Sequence, residues 1–589
     1  MRLPPQSIPA DNGLVDEIMS STPVPRSLFS VSLCVFACLA MAASSSSLNA
    51  APQTIPGLGT TAFPVSTGVP AARDAFLRGL LLLHLFEYAD AADSFVAAQK
   101  LDPAFALAYW GEAMTFNHGV WNQVDPAAGK AALEKFAATP AARAARVSDA
   151  REKAYLTAVE ILYDGTGTKT ERDKRYASAM ERLSASYSAD RDAQLFYALA
   201  LLSQSEGVRD VPVYLKAAGI SKAVFRLEPG NPGAVHYWIH GMDDPEHAAG
   251  ALEAARALSK IAPDAPHAQH MCSHIFMALG MWDDVVQANV EAIRVGNQHD
   301  QAAGFPAYNC GHYAEWLEYG YFQQGRLHEA QQMVNACRQT DTDATAWVAA
   351  HPGRVPFGAK DAARVHRRLL SAFADMQNMA VIESQDWKSA EEPASTLSAL
   401  PPYSAAWCEF ASGFAAAQSG HVGRATAALQ SMQTKAAEFQ ATPEADAQDA
   451  QALAVAAGTL SGLIQVKSGR GEAGEVQIRH AYETYCAMAF AFGPPVTIKP
   501  PEELLGEILL AKGDAAAARL SFEQALQRAP GRAQSLLGLA RAERLAHDEP
   551  AARKTYEKLV AIWHAAAPDV PGLAEARMQI SRARASNHQ

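Results

Sequence analysis

Cysteine is scarce in this chain, with seven among 589 residues, and two of those (Cys34 and Cys38) sit in a single apolar run near the N-terminus. The other five, Cys272, Cys310, Cys337, Cys408 and Cys486, are too widely spaced for a disulfide framework. They leave room for one bridge, whose partners the sequence does not name. Basic charge is also short: Lys and Arg total 50 against 62 Asp and Glu, a net charge of −12. The electrostatic footprint of a nucleic-acid binder is therefore missing. No window alternates with a strand period. No HExxH occurs, since His328-Glu329 lacks the second histidine, and there is no phosphate-cradling glycine loop or Ser-His-Asp arrangement. The usual signatures of zinc hydrolases, nucleotide-binding proteins and serine hydrolases are thus absent.

Long hydrophobic runs are nearly absent too. The one present, Ser27 to Ala43, follows Arg26 and is short for a membrane span. It ends in Ala40-Met41-Ala42, the small-residue pattern of a signal-peptidase site, which predicts export to the periplasm or beyond. Asp11, Asp16 and Glu17 ahead of it are odd for a signal and suit a start at Met19. Cys38 follows Val35-Phe36-Ala37, a poor lipobox, so no lipid anchor and no membrane span in the mature chain is expected. Residues 44–70, rich in Ser, Ala, Gly and Pro and without charge, read as a flexible linker.

What the chain does have is alanine and a helical repeat. Gly79, Ala91, Phe95, Ala98 and Pro103 fit positions 8, 20, 24, 27 and 32 of a 34-residue tetratricopeptide repeat (TPR) starting at Ala72. The next unit starts at Ala106, with Tyr109 and Ala113. Gly506, Ala518, Phe522, Ala525 and Pro530 repeat the pattern near the other end, followed by a unit from Ala533 with Leu536, Leu539, Ala540, Ala552 and Tyr556. Between them the repeats degenerate, with helices expected over 151–163, 172–187, 192–204, 360–379 and 405–419 and a loop over 340–360. The fold class is all-α: a TPR-like α-solenoid, a right-handed superhelix of helix pairs. We divide it into a signal peptide (1–43), a linker (44–70), repeats with a histidine-rich groove (71–340), degenerate repeats (341–497), a C-terminal pair (498–566) and a tail (567–589).

Histidine is concentrated in one place. Eight of the 18 histidines fall between His236 and His312, where an even spread would put about two. Anchoring repeats at Pro232, Pro266 and Gly311 puts His236 and His240 at positions 5 and 9 of one first helix. It puts His267, His270 and His274 at 2, 5 and 9 of the next, and His312 at 2 of the third. Residues four apart share a helix face, and packed helices lie about 8–10 Å apart, so these imidazoles are predicted to converge on the concave groove. Neutral imidazole suits zinc, copper or iron. Asp243, Asp244, Glu246 and Glu315 are candidate partners of those ligands or general bases. His84 and His118, at position 13 of their repeats, are candidates farther along the groove. A groove that takes a protein or peptide, and a purely structural polar network, are the competing readings of the same residues.

The block Ala234–Trp282, with Phe86-Glu87-Tyr88 and Asp102–Gly111, resembles bacterial TPR proteins with segments of the type AHYxIH and PHAxHMxSHIFxxLGxW. The likeness covers most of residues 70–340. It departs at Cys272, where the family commonly has proline, and around Gly296–Cys310. The resemblance implies an α-solenoid and carries no activity with it. Three functions follow as expectations: an exported repeat protein with a transition-metal site, an interaction scaffold without metal, or a metal-dependent enzyme.

Overall fold

The computed structural model describes residues 51–204, 209–359, 361–388, 399–442 and 445–586. The expected signal peptide and the first part of the linker lie outside the described residues.

Antiparallel helix pairs succeed one another from Pro70 to Ser586, and the reason is clearest at two phenylalanines. Phe95 is wholly buried where helix Tyr88–Leu101 crosses Pro70–His84 and Ala106–Met114. A Cβ on Gly79 would lie 2.9 Å from its ring and one on Gly111 only 2.4 Å. Phe522, in helix Ala515–Arg528, occupies the same niche between Gly506 and Gly538, where added Cβ atoms would lie 2.8 and 2.3 Å away. Glycine on the first helices lets a large ring seat on the second; buried Ala91, Ala98, Ala518 and Ala525 allow the close crossing. This is TPR packing, and the chain is an all-α, TPR-like solenoid.

The histidine-bearing segments form three consecutive first helices, Pro232–Gly241, Pro266–Ala278 and His312–Gln323. Each is followed by its second helix, respectively Leu252–Ile261, Trp282–Ala302 and Leu327–Ala350. Proline at the first turn starts two of them, where its missing N–H costs nothing. Gly280 and Gly325, at φ +68° and +67°, make the turns into the second helices. The first helix of the array, Pro70–His84, lies against Pro232–Gly241, and Gly233 makes room for it, since a Cβ there would stand 2.6 Å from the His84 ring.

Three expectations are corrected. Residues 51–70 are not a loose linker: Gln53–Ile55 and Gly59–Thr61 pair as an antiparallel hairpin, and Thr60 N–H donates to the Gly230 carbonyl at 2.8 Å. Leu58 and Phe63 are buried, so a few apolar side chains and closely approaching glycines suffice to tie the segment down. A second short hairpin joins Asn117–His118 to Gln123–Val124. The loop expected over 340–360 begins only after Ala350. Thr340, buried, accepts from the Asn309 N–H at 3.3 Å, and Cys337 is bridged to Cys310, so the helix is held on both sides.

The array also closes on itself. Trp282 Nε1–H donates to the Gly531 carbonyl at 2.9 Å, Ala533 N–H to Gln323 Oε1 at 2.9 Å, and Ala567 N–H to the Gly325 carbonyl at 3.0 Å. Arg532, fully buried, donates to Glu503, Glu383 and the Tyr319 hydroxyl. The C-terminal pair thereby rests on the turns of the histidine-bearing repeats.

Candidate metal centre

Five of the six predicted histidines are buried: His236, His240, His267, His270 and His274. His312 is the exposed one and marks the solvent side. They resolve into two groups of three, His236/His240/His267 and His270/His274/His312, and within each group the ligand nitrogens lie within 4.8 Å of one another. The first group comes from Pro232–Gly241 and Pro266–Ala278, the second from Pro266–Ala278 and His312–Gln323, so the middle helix serves both. The groups adjoin: ring centres of His267 and His270 are 6.1 Å apart, as are those of His240 and His274.

The hydrogen bonds around the rings settle which nitrogens are free. His236 Nδ1 lies 2.6 Å from the His84 carbonyl oxygen, which can only accept, so Nδ1 carries the proton and Nε2 the lone pair. His274 Nδ1 donates to Asp243 Oδ2 at 2.5 Å. His270 Nδ1 donates to Asn289 Oδ1 at 2.7 Å, and that amide is oriented by its own Nδ2–H bond to the Val285 carbonyl at 2.8 Å. Nε2 of His236, His240 and His267 is buried without a partner. Nε2 of His270 and of His274 face each other at 3.1 Å. Two lone pairs held there repel unless a proton or cation sits between them. Two nitrogens bound to one tetrahedral ion at about 2.0–2.1 Å are separated by roughly 3.4 Å, so the spacing suits a shared ion.

Burial also keeps His236, His240, His267, His270 and His312 neutral. Desolvation, opposed by the hydrogen bond to the His84 carbonyl, pushes His236 down to about 3. His240, His267 and His270 are driven well below the ordinary histidine value by desolvation and then by neighbouring histidines. Desolvation, and then the neighbouring His274, push His312 down to about 3. Neutral imidazole is the form that binds metal.

Aromatic side chains cover the buried rings. Phe86 lies 4.3 Å, centre to centre, from His236. Trp316 is 4.8 and 4.4 Å from His270 and His274, and Phe492 is 5.1 Å from His274. Phe86 holds this position from a left-handed backbone, φ +59°, at the turn between the first two helices. A non-glycine residue there costs of order 1 kcal/mol, as does His547 in the matching turn of the C-terminal repeat. Trp121 is 39% exposed and lies 6.0 Å from His267, at the mouth.

The remaining candidates separate. Asp243 orients His274. Asp244 caps the turn after Pro232–Gly241, accepting from His247 Nδ1 and pairing with Arg209. Glu246 is exposed. Glu315 is pushed up to about 7 by burial, against the pull of Arg368. His84 has both ring nitrogens engaged, with the Tyr237 hydroxyl and with Asp192, so only its carbonyl serves the cluster. His118 bonds the Thr115 carbonyl and stacks on Tyr88 at 3.9 Å, outside the cluster. Cys272 turns away, its thiol donating to the Ala268 carbonyl. The sequence reading missed Asn289, which no motif marks, and Glu87, whose Oε1 accepts the His267 N–H at 3.0 Å. Burial raises the Glu87 carboxyl to about 7.

No protein-family model matches the chain, and no curated protein matches it in sequence. Similar solved structures include a human IFIT1 dimer with m7Gppp-AAAA, at 11% identity and TM-score 0.29, covering 85% of this chain and 91% of that one. The APC/C hetero-tetramer Cut9–Hcn1 is 12% identical with TM-score 0.25, covering 87% and 95%. The TPR domain of P58(IPK) is 14% identical with TM-score 0.22, covering 81% and 98%. Fold and site define the class: a TPR-like solenoid with a histidine cluster buried between its first helices.

Proposed function

We propose that this protein is an exported TPR-like solenoid that binds transition-metal ions through its buried histidines. The observation that carries the reading is the arrangement of lone pairs. Three rings are tied by Nδ1 to outward acceptors, and the Nε2 atoms of His236, His240 and His267 have no partner. A buried polar atom left unpaired costs about 1–3 kcal/mol, and three in one place are a poor structural device unless something binds them. The test is metal analysis of untagged protein, with His270→Ala/His274→Ala as the control. At least one equivalent of a first-row transition metal is expected in the native chain and a clear loss in the control. Less than about 0.2 equivalents after reconstitution with zinc, copper or iron would sink the reading.

A catalytic role is the second reading, favoured by Glu87. A carboxyl held near neutrality beside the ligand helix is suited to accept or release a proton. Glu87→Gln should then leave metal content intact and abolish any turnover found in a substrate screen. Protein or peptide binding by other faces of the array is a separate matter, tested by partner capture that survives chelation. Export is supported by the apolar run ending at Ala42 and by the Cys310–Cys337 bridge, a bond that persists in oxidising compartments. The mature N-terminus is expected near Ala43, and peptides from residues 1–40 on soluble cytoplasmic protein would refute it.

A further inference from the structure

The six histidines are too many, and too far apart, for one ion. Six nitrogens around a single ion at about 2.1 Å all lie within roughly 4.2 Å of one another. Here the ligand nitrogens fall instead into two groups of three, within 4.8 Å of one another in each. Each group therefore makes its own three-coordinate site, and each keeps an open position, as three-ligand sites do.

The ligand chemistry narrows the ion. Neither group contains a carboxylate or a thiolate: Asp243 is engaged with His274, and Cys272 points elsewhere. All-imidazole sites disfavour the hard ions magnesium, calcium and manganese, and copper stands highest for nitrogen ligands. Three neutral imidazoles also serve the cuprous state, which tolerates low coordination. The surround narrows the ligand. Phe86, Trp316 and Phe492 pack against His236, His270 and His274, while His312 stays open to solvent. A cavity of about 40 Å3 lies against His274 and Asp243, walled also by Trp282 and Phe492 and by none of the other five histidines, and has room for one small molecule or a few waters next to the second group. A small uncharged molecule suits this space better than a phosphate or a peptide carboxylate.

Resting on the metal-binding reading above, we infer that the two histidine groups hold a pair of copper ions that binds dioxygen between them. The step balances without another reactant. Each cuprous ion gives one electron, the O–O double bond becomes a single bond, and dioxygen is held as its two-electron-reduced dianion against two cupric ions. No proton is taken up, and withdrawal of oxygen reverses the transfer.

The experiment uses the full mature chain, untagged and disulfide-intact, loaded anaerobically with Cu(I) and then exposed to oxygen. Expected are two copper per chain and one dioxygen taken up per two copper. The oxidised form should lack a cupric paramagnetic-resonance signal, because the two spins are coupled, and flushing with argon should restore the starting absorbance. His312→Ala removes an exposed ligand, so it should stay folded, hold about one copper tightly and show an ordinary cupric signal once oxidised. Two copper without oxygen uptake, two uncoupled cupric signals, or one copper in the native chain would each overturn the paired dioxygen site while leaving metal binding standing. No bound copper, zinc or iron at all would overturn both readings.

Discussion

Single side chains around the cluster do separable jobs. Asp243 fixes the tautomer and ring angle of His274 by accepting from its Nδ1. Asp243→Asn keeps the shape but presents an amide that orients the ring poorly, and such partners typically contribute 10–100-fold to metal affinity. Titration against a chromophoric chelator should show that loss with an unchanged circular dichroism spectrum; unaltered affinity would deny Asp243 its role. Glu318 is a different case. It is fully buried, and neither carboxylate oxygen has a hydrogen-bond partner. Desolvation, with Glu315 and Glu383 nearby, raises its pKa well above the usual range. A raised carboxyl contributes stability that is complete below the unfolded value near 4.3 and is lost as pH rises towards the folded value. Glu318→Gln removes that penalty, so its stability relative to the native chain should climb as pH rises above about 5. Urea midpoints at pH 5 and pH 8 measure this, and a pH-independent difference would contradict it.

At the scale of the element, the bridge Cys310–Cys337 joins the start of helix His312–Gln323 to its following helix. Gly311, φ +69°, is the single residue between the bridge and His312, so the disulfide holds the backbone that presents that ligand. Replacing both cysteines by serine should cost roughly 3–4 kcal/mol, from the closure entropy of a 27-residue separation. It should also weaken the His270/His274/His312 group while sparing His236/His240/His267. Metal stoichiometry before and after the replacement reads this directly, and equal loss from both groups would mean that the bridge acts on the fold rather than on His312.

For the whole molecule, the question is why an array of repeats closes on itself. Arg532 bridges Glu503 in its own neighbourhood to Glu383 and Tyr319 across the closure, with its guanidinium fully buried. Removing it takes the guanidinium from buried Glu383 and leaves Glu503 to Lys499 and Ser535, a loss of about 3–5 kcal/mol for a broken buried pair. Arg532→Ala should therefore release the C-terminal pair from the turns at Gly280 and Gly325, enlarging the radius of gyration in solution scattering while the N-terminal repeats keep their exchange protection. An unchanged radius would assign the closure to the apolar contacts of Trp563 and Val570 with Gly325 instead.

Wherever the cause is local, this protein can be read from its sequence. Gly79, Phe95, Gly506 and Phe522 are legible because a repeat packs only against its neighbours, and its small and large residues recur at fixed spacing. The paired histidines are legible because residues four apart share a helix face. Other features arise from contacts between residues far apart in the chain. Asn289 reaches His270 across a helix pair, Glu87 reaches His267 from 180 residues away, and Phe492 covers His274 from more than 200. The division of six histidines into two groups, and the burial of five of them, depend on the curvature of the array. Many small helix crossings add up to that curvature, and no single stretch of sequence records the sum.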